Sequence, residues 1–285
     1  MGNLSGGGLG CFGEHREFEP FLDTGGEVRV LIVALDYPYS KGNELTGIND
    51  GQVMERICAQ ARCEDVKCLY DKFERTDARF PTRANVVSAL KEVGSRTGPD
   101  DFFVFFYAGH GENVPDHPPL DEEDGQDEAF VLPGPRGEIG AEYFWIDDDF
   151  VVAMEESFPS ECRILCVLDC CHSATLADID SHKWNHRICS ISACQDDEES
   201  TDTGKGGLLT IAIEKTMTEL SLSRGEKEYS IQSLYDRVVK YAAVISKDQV
   251  LELSYANLDP SMTPWPLPRP WWRHFERGVP SQLVS

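Results

Sequence analysis

The most informative stretch of this chain is Cys166-Val167-Leu168-Asp169-Cys170-Cys171-His172-Ser173-Ala174. The segment Arg163 to Leu168 is short and rich in Val, Leu and Ile, which predicts a buried β-strand. It ends at an acid, two cysteines and a histidine, which a hydrophobic core does not use. Because working residues in an open parallel sheet lie just beyond the carboxyl ends of the strands, this junction is a candidate site. A cysteine there needs a histidine from elsewhere, since a free thiol of pKa about 8.5 is mostly protonated at neutral pH.

A second predicted strand supplies such a histidine. The apolar run Asp101 to Tyr107 is followed directly by Ala108-Gly109-His110-Gly111. Flanking glycines allow the backbone to bend sharply and a substrate to approach closely. His110 precedes Cys171 by 61 residues, which is the order and near the separation, roughly 50 residues, that caspase-type peptidases use.

Two simpler interpretations compete with a catalytic pair. The Cys-Cys-His segment could be half of a metal site, but the chain contains no Cys-x-x-Cys pair to complete it. A lone histidine between glycines is more often a turn residue than a catalyst. Two strand-end sites of the same form in one chain favour the catalytic interpretation.

The two segments resemble the His and Cys boxes of the metacaspases, the caspase-like cysteine peptidases of plants, fungi and protists. The similar residues are Tyr107-Ala108-Gly109-His110-Gly111 and Asp169-Cys170-Cys171-His172-Ser173, within a resemblance that extends from about Val28 to about Ser254. It implies that Cys171 is the nucleophile, that Cys170 fills a variable position and that His110 is the general base. The backbone N–H groups of Gly111 and Cys171 are the expected oxyanion donors.

The order of predicted elements indicates an α/β fold. Apolar strands alternate with helical patterns, which favours a mainly parallel sheet with helices on both faces. The resemblance implies a caspase-like three-layer αβα sandwich. We expect a flexible glycine-rich tail over residues 1–26, a large part over 27–182 that carries the His/Cys pair, and a small part of the same domain over 183–256. A Pro- and Trp-rich extension over 257–285 could pack on the body or cover a groove.

Composition restricts the partners and the compartment. The chain has 285 residues, 50 of them acidic and 26 basic, with a formal net charge of -24. This charge disfavours nucleic acid and anionic membranes and suits cationic substrates or a divalent metal. Ten cysteines without paired spacing fit a reducing, cytoplasmic compartment. No apolar stretch reaches the roughly 18 residues of a membrane span, and no secretory signal is visible. Gly2 and Cys11 form a weak lipidation signal.

Two acids are candidates for binding a basic side chain. Asn49 and Asp50 precede a helical pattern and are favoured N-caps, which is the simplest explanation of both. Leu45-Thr46-Gly47-Ile48-Asn49-Asp50 nevertheless resembles the metacaspase box Leu-x-Gly-Cys-x-Asn-Asp without its cysteine. In that family the last Asp helps to bind a basic P1 side chain, so the resemblance assigns Asp50 and Asp169 to the S1 pocket. Two carboxylates there favour Arg or Lys at P1 and reject Asp.

A second group of acids lies between the two strands. The simplest explanation of the acidic loop Asp121 to Glu128 and of the Asp147-Asp148-Asp149 cluster is a solvated surface, with Asp147 capping a helix over Asp148 to Ser157. The register of an EF-hand loop is absent. Asp127-Glu128-Ala129-Phe130-Val131-Leu132-Pro133 and Ile146-Asp147-Asp148 resemble the metacaspase boxes Asp-Glu-x-x-Val-x-Pro and Ile-x-Asp-Asp. In calcium-dependent members these aspartates bind Ca²⁺ with one that lies seven residues after the catalytic cysteine. The resemblance therefore implies a Ca²⁺ site of Asp127, Asp147, Asp148 and Asp178.

The leading hypothesis is a monomeric, calcium-stimulated cysteine endopeptidase that acts on proteins or peptides with Arg or Lys at P1. Metacaspases often cut themselves at basic residues near the junction of the two parts, so the resemblance implies self-cleavage at Lys183, Arg187 or Lys205. The alternative is a catalytically silent caspase-fold module that binds calcium and regulates a partner, although such a module needs neither Cys171 nor His110. A different Cys–His hydrolase, such as an amidase, would keep the pair and show no endopeptidase activity.

Overall fold

The structure, a computed structural model, describes residues 26–115, 126–170, 176–177, 179, 182–193, 206–222, 229–246 and 250–268. Its strands are β1 (Val28–Ala34), β2 (Asp65–Tyr70), β3 (Phe102–Ala108), β4 (Gly111–Pro115), β5 (Gln126–Phe130), β6 (Trp145–Ile146), β7 (Arg163–Asp169), β8 (Arg187–Ser192) and β9 (Glu252–Ala256). Its helices are α1 (Gly47–Ala61), α2 (Arg83–Gly94), α3 (Asp147–Ser157), α4 (Leu208–Leu222) and α5 (Ile231–Ile245).

The central sheet is mainly parallel, which confirms the predicted α/β class. Its six strands have the order β2-β1-β3-β7-β8-β9, and every neighbouring pair is parallel except β8 and β9. Strand β2 lies on one side of β1 in the sheet, and β3, the next strand of this sheet along the chain, lies on the other side. The carboxyl ends of β1 and β3 therefore flank a topological switch point, where open α/β sheets bind their ligands.

The sheet is the middle layer of three. Because successive side chains of a strand point to opposite faces of the sheet, the central strands contribute side chains to two separate hydrophobic cores. One core packs Val30 and Ile32 against residues of α1, α4 and α5. The other packs Leu31 and Val33 against residues of α2 and α3. Helices thus cover both faces, as the predicted αβα sandwich requires, and no helix among the described residues is long and apolar enough to cross a bilayer.

A second, three-stranded antiparallel sheet was not predicted. It has the order β4-β5-β6 and directly follows the His110 segment. The interpretation of Asp121 to Glu128 as one acidic loop is wrong at its end, because Asp127 and Glu128 lie in β5 and are buried. The Phe130 side chain, two residues after Glu128, is fully buried and packs in the core that contains α2 and α3.

The described part of the C-terminal extension packs on the body of the domain. The Trp265 side chain is buried, and its main-chain N–H donates to the Tyr229 carbonyl at 2.9 Å. Its indole N–H donates to the Leu267 carbonyl at 3.0 Å. Residues 257–268 therefore contribute to the core that contains α4 and α5.

Phe130 is expected to be a major source of stability. Its ring is fully buried and lies 4.8 Å from Tyr107, 5.6 Å from Trp145 and 5.1 Å from Phe150 between ring centroids. Replacing Phe130 with alanine should lower the free energy of unfolding by about 3–5 kcal/mol, because the neighbouring rings cannot close the cavity. Urea denaturation measures the change. Val152→Ala, at a side chain that is 55% exposed, is the control and should change stability by less than about 0.5 kcal/mol.

Candidate active site

The His and Cys segments begin at the same level of the sheet. Strands β3 and β7 are hydrogen-bonded neighbours, and the last pair in their register is Ala108 with Asp169. His110 and Cys171 each follow that pair by two residues. Adjacent strands lie about 4.8 Å apart, so the two segments leave the sheet side by side; Cys171 itself lies outside the described residues.

Only one cysteine of the Cys170–Cys171 pair is a candidate nucleophile. Cys170 is fully buried and packs in the core that contains α2 and α3. A thiol buried in this way cannot reach a substrate carbonyl. Cys171 is therefore the member of the pair that could carry the chemistry.

The His110 ring is oriented by a main-chain carbonyl. Its Nε2 lies 2.8 Å from the carbonyl oxygen of Asn43. Because a carbonyl oxygen only accepts hydrogen bonds, Nε2 carries the hydrogen, and the lone pair is on Nδ1. Nδ1 is thus the nitrogen that can take a proton from a thiol. No sequence signal could identify this orienting group, because every residue carries a main-chain carbonyl.

Asp50 and Asp169 meet at the start of α4. Both oxygens of Asp50 accept the Gly207 N–H, at 3.0 and 2.9 Å. Asp169 Oδ2 accepts the Thr210 N–H at 2.9 Å and the Thr210 hydroxyl at 2.6 Å. The two acids, 119 positions apart in the sequence, are thereby brought to one place, where the N-terminus of a helix stabilises negative charge.

The N-cap interpretation of Asn49 and Asp50 is wrong. Helix α1 begins at Gly47, after the cap residue Thr46, so both residues lie inside its first turn. The Asp50 carboxylate points to α4 instead of to its own helix. A side chain at either glycine opposite the acids would displace a carboxylate, because a Cβ at Gly206 would lie 2.2 Å from Asp50 Oδ1 and one at Gly207 would lie 2.3 Å from both oxygens of Asp169.

The proposed metal ligands are only partly described. Asp127 and Asp147 are buried, and Asp147 accepts the N–H groups of Glu128 at 3.2 Å and Asp148 at 2.9 Å. Helix α3 begins at Asp147, so the interpretation of Asp147 as a solvated cap before Asp148 is wrong. Among the described residues no three His, Cys, Asp or Glu side chains form a metal-binding group. Asp178, the fourth predicted ligand, lies outside them.

The chemistry of these acids nevertheless fits a hard cation. Burial, and then the negative charges of Glu128 and Asp127, raise the pKa of Asp147 to about 8. A divalent ion bound at carboxylate oxygens would offset this concentration of negative charge, and oxygen is the ligand that Ca²⁺ prefers.

The remaining predictions concern an oxyanion donor, the cleavage sites and the lipidation sites. Gly111, a predicted oxyanion donor, opens β4 and pairs with Phe130. Among the candidate cleavage sites, Lys183 is exposed and Arg187 is the first residue of β8. Lys205 and the lipidation candidates Gly2 and Cys11 lie outside the described residues.

Comparison with known proteins identifies the family. A family model described as "Metacaspase, peptidase C14 domain" matches residues 28–180. Metacaspase-1 of Cryptococcus neoformans is 31% identical over 157 residues, which cover 54% of this chain and 33% of that protein. Metacaspase-1 of Kluyveromyces lactis is 26% identical over 239 residues, 82% of this chain and 51% of the relative. Metacaspase-2 of Arabidopsis thaliana is 28% identical over 204 residues, which cover 62% of this chain and 47% of that protein.

The relatives are longer than this chain, which spans between a third and about half of their length. A crystal structure of a Geobacter sulfurreducens protein is similar with a TM-score of 0.65 at 23% identity, over 86% of this chain and 99% of that one. That likeness supports the fold alone. The family model covers more than half of the chain, including both strand ends that lead to His110 and Cys171, and the chain therefore belongs to the metacaspase family.

Proposed function

We propose that this chain is a cysteine endopeptidase that cleaves after Arg or Lys and is stimulated by Ca²⁺. The observation that carries the proposal is the register of β3 and β7, in which the His110 and Cys171 segments leave the sheet at the same level. A histidine and a cysteine at neighbouring strand ends are the parts that a thiol nucleophile and its base require.

The mechanism follows from the hydrogen on His110 Nε2. Nδ1 takes the thiol proton of Cys171, and the thiolate attacks the carbonyl carbon of the scissile bond. The resulting oxyanion is held by the N–H groups of Gly111 and Cys171. His110 returns the proton to the leaving amine, which gives an acyl-enzyme. Water, deprotonated by His110, then hydrolyses the thioester and restores the thiol.

The basic P1 side chain is bound by Asp50 and Asp169. Their convergence on residues 206–210 supports this role, because it places two buried carboxylates close together. Asp169 is also only two residues from the nucleophile. Buried carboxylates bind a guanidinium or ammonium by charge-assisted hydrogen bonds and exclude an acidic P1 residue.

Ca²⁺ would be held by Asp127, Asp147, Asp148 and Asp178, where it would neutralise their charge and stabilise the junction of β5 and α3. Self-cleavage after a basic residue is part of the proposal. Arg187 is the least suitable of the three candidates, because it lies in β8 within the central sheet. Lys183 and Lys205 remain as candidate cleavage positions.

Hydrolysis of a fluorogenic P1-Arg peptide tests the proposal. Wild type and Cys171→Ala are compared with millimolar Ca²⁺ and with a chelator, and Cys170→Ala is the matched control. We expect activity in wild type and Cys170→Ala with Ca²⁺, and none in Cys171→Ala. Activity that survives chelation would refute the calcium assignment alone, whereas no activity under any condition would refute the peptidase.

The acids of the α3 cluster give a sharper test of the calcium site. Asp148→Asn is expected to weaken Ca²⁺ binding by at least about tenfold, the lower end of the loss seen even for partners outside a metal's ligand shell. Asp149→Asn is the matched control, because Asp149 is exposed and faces Arg83 at 3.5 Å. Isothermal titration calorimetry with Ca²⁺ measures both. Equal affinities in the two variants would contradict the ligand assignment.

A further inference from the structure

Two buried tyrosine hydroxyls hold the main chain of His110. The His110 N–H donates to the Tyr37 hydroxyl at 2.7 Å, and the Tyr107 hydroxyl donates to the His110 carbonyl at 2.7 Å. The Tyr37 hydroxyl in turn donates to the Val131 carbonyl at 3.0 Å. Burial raises the pKa of both tyrosines well above the ordinary value, so both keep their hydrogens. Both polar main-chain groups of His110 are therefore bound by a tyrosine.

The Tyr37 ring also supports the imidazole. The two ring centroids are 4.8 Å apart, and Tyr37 is only 2% exposed. Gly109 has no room for a side chain, because a Cβ there would lie 2.6 Å from the Tyr37 hydroxyl and 2.7 Å from that of Tyr107. The glycine before His110 thus permits the contact between the tyrosines and the backbone.

Tyr37 is held in an unfavourable backbone conformation. Its φ is 54°, a left-handed value that is unfavourable for a bulky residue. The buried carboxylate of Asp71 maintains it by accepting the N–H groups of Asp36, at 3.0 and 3.1 Å, and of Tyr37 at 2.6 Å. Burial raises the pKa of Asp71 to about 6. Strain and a desolvated carboxylate are both unfavourable for folding, and such features concentrate at functional sites.

The same turn carries the group that orients the imidazole. Asp36 accepts the N–H of Leu45 on its carbonyl at 3.0 Å and that of Ile48 on its carboxylate at 2.9 Å. These bonds close the loop that runs from Tyr37 to Thr46 and contains Asn43. The loop therefore determines where the Asn43 carbonyl meets His110 Nε2.

We propose that Tyr37 is a positioning residue for the general base, and that Asp71 holds Tyr37 in place for that purpose. The inference rests on the proposed role of His110. Tyr37 fixes the main chain of His110 through its hydroxyl and, as the first residue of the loop, fixes the carbonyl that selects the tautomer of the imidazole. Both side chains are buried, so their role is to position His110.

Tyr37→Phe tests the inference, because it removes one oxygen and keeps the ring. We expect kcat for the P1-Arg peptide to fall by about 10- to 10²-fold, the size of effect that a small misplacement of a catalytic group produces. KM should be unchanged, since the S1 acids are untouched. The rate at which iodoacetamide alkylates Cys171 at pH 7, followed by mass spectrometry, should fall as well, and its pH profile should move toward that of a free thiol. Asp71→Asn should show the same changes in direction.

Tyr235→Phe is the matched control. The Tyr235 hydroxyl also donates to a main-chain carbonyl, that of Leu251 at 2.7 Å, but it lies on α5. A Tyr37→Phe variant with the kcat and alkylation profile of Tyr235→Phe would overturn the inference. If Tyr37→Phe does not fold, Asp71→Asn carries the test, because it removes the acceptor of the Tyr37 N–H, with a loss in kcat at constant KM expected. A wild type that cleaves no peptide would refute the proposed function, and the alkylation profiles would still decide the role of Tyr37.

Discussion

Replacing His110 with alanine is expected to lower kcat/KM for a P1-Arg peptide by about 10³- to 10⁴-fold, the upper part of the range for general acid–base catalysis. The variant lacks the Nδ1 that takes the thiol proton, so Cys171 reacts only through the small thiolate fraction present in water. Alkylation of Cys171 in this variant should follow a pKa of about 8.5, that of a free thiol. Steady-state hydrolysis and the pH dependence of alkylation measure both effects.

A matched histidine is available as a control. The His182 side chain is partly exposed and lies 3.7 Å from Glu155, next to Trp184. His182→Ala removes a partly buried imidazole remote from the carboxyl end of β3 and should keep the activity of wild type. If His110→Ala retained more than a tenth of wild-type activity, the base would have to be another residue.

The central strands were predictable because of where they lie. Strands β3 and β7 have neighbours on both sides and helices on both faces, so all their side chains are buried. Apart from Arg163 and Asp169 at the two ends of β7, they form continuous apolar runs. Strand β5 has no such pattern, because Asp127 and Glu128 are buried within it. From the sequence alone, two charged residues predict a solvated loop. Their burial is understandable if a cation binds among them and the neighbouring acids.

The reactive residues of the site were easier to predict from the sequence than the residues that position them. His110 and the acids have side chains of recognisable function, and a resemblance of motifs could name them. Tyr37, whose role depends on a hydroxyl contact across 73 positions, had no local signal. The motif named Asp50, but its contact with the N-terminus of α4 had no local signal, because its partner Gly207 lies 157 positions away.

Replacing Asp169 with asparagine is expected to lower kcat/KM for a P1-Arg peptide by about 10²-fold more than for the same peptide with Gln at P1. An amide cannot form the charge-assisted bond to a guanidinium, and losing one partner of a buried charge pair costs about 2–5 kcal/mol. Asp50→Asn should shift the same ratio in the same direction. Parallel assays of the two peptides give the ratio without reference to the amount of active enzyme.

The ratio also separates specificity from structure. Asp169 holds the N-terminus of α4 through Thr210, so its replacement should also lower stability by about 1 kcal/mol, as the loss of a helix cap does. A purely structural role would reduce the rates for both peptides equally. Asp101→Asn is the control for that case, because the Asp101 carboxylate is buried, accepts the N–H groups of Glu27 and Gly98 and pairs with Arg29 next to the opposite end of β3. It should destabilise the fold and leave the Arg/Gln ratio unchanged, whereas an unchanged ratio in both Asp169→Asn and Asp50→Asn would exclude these acids from the S1 pocket.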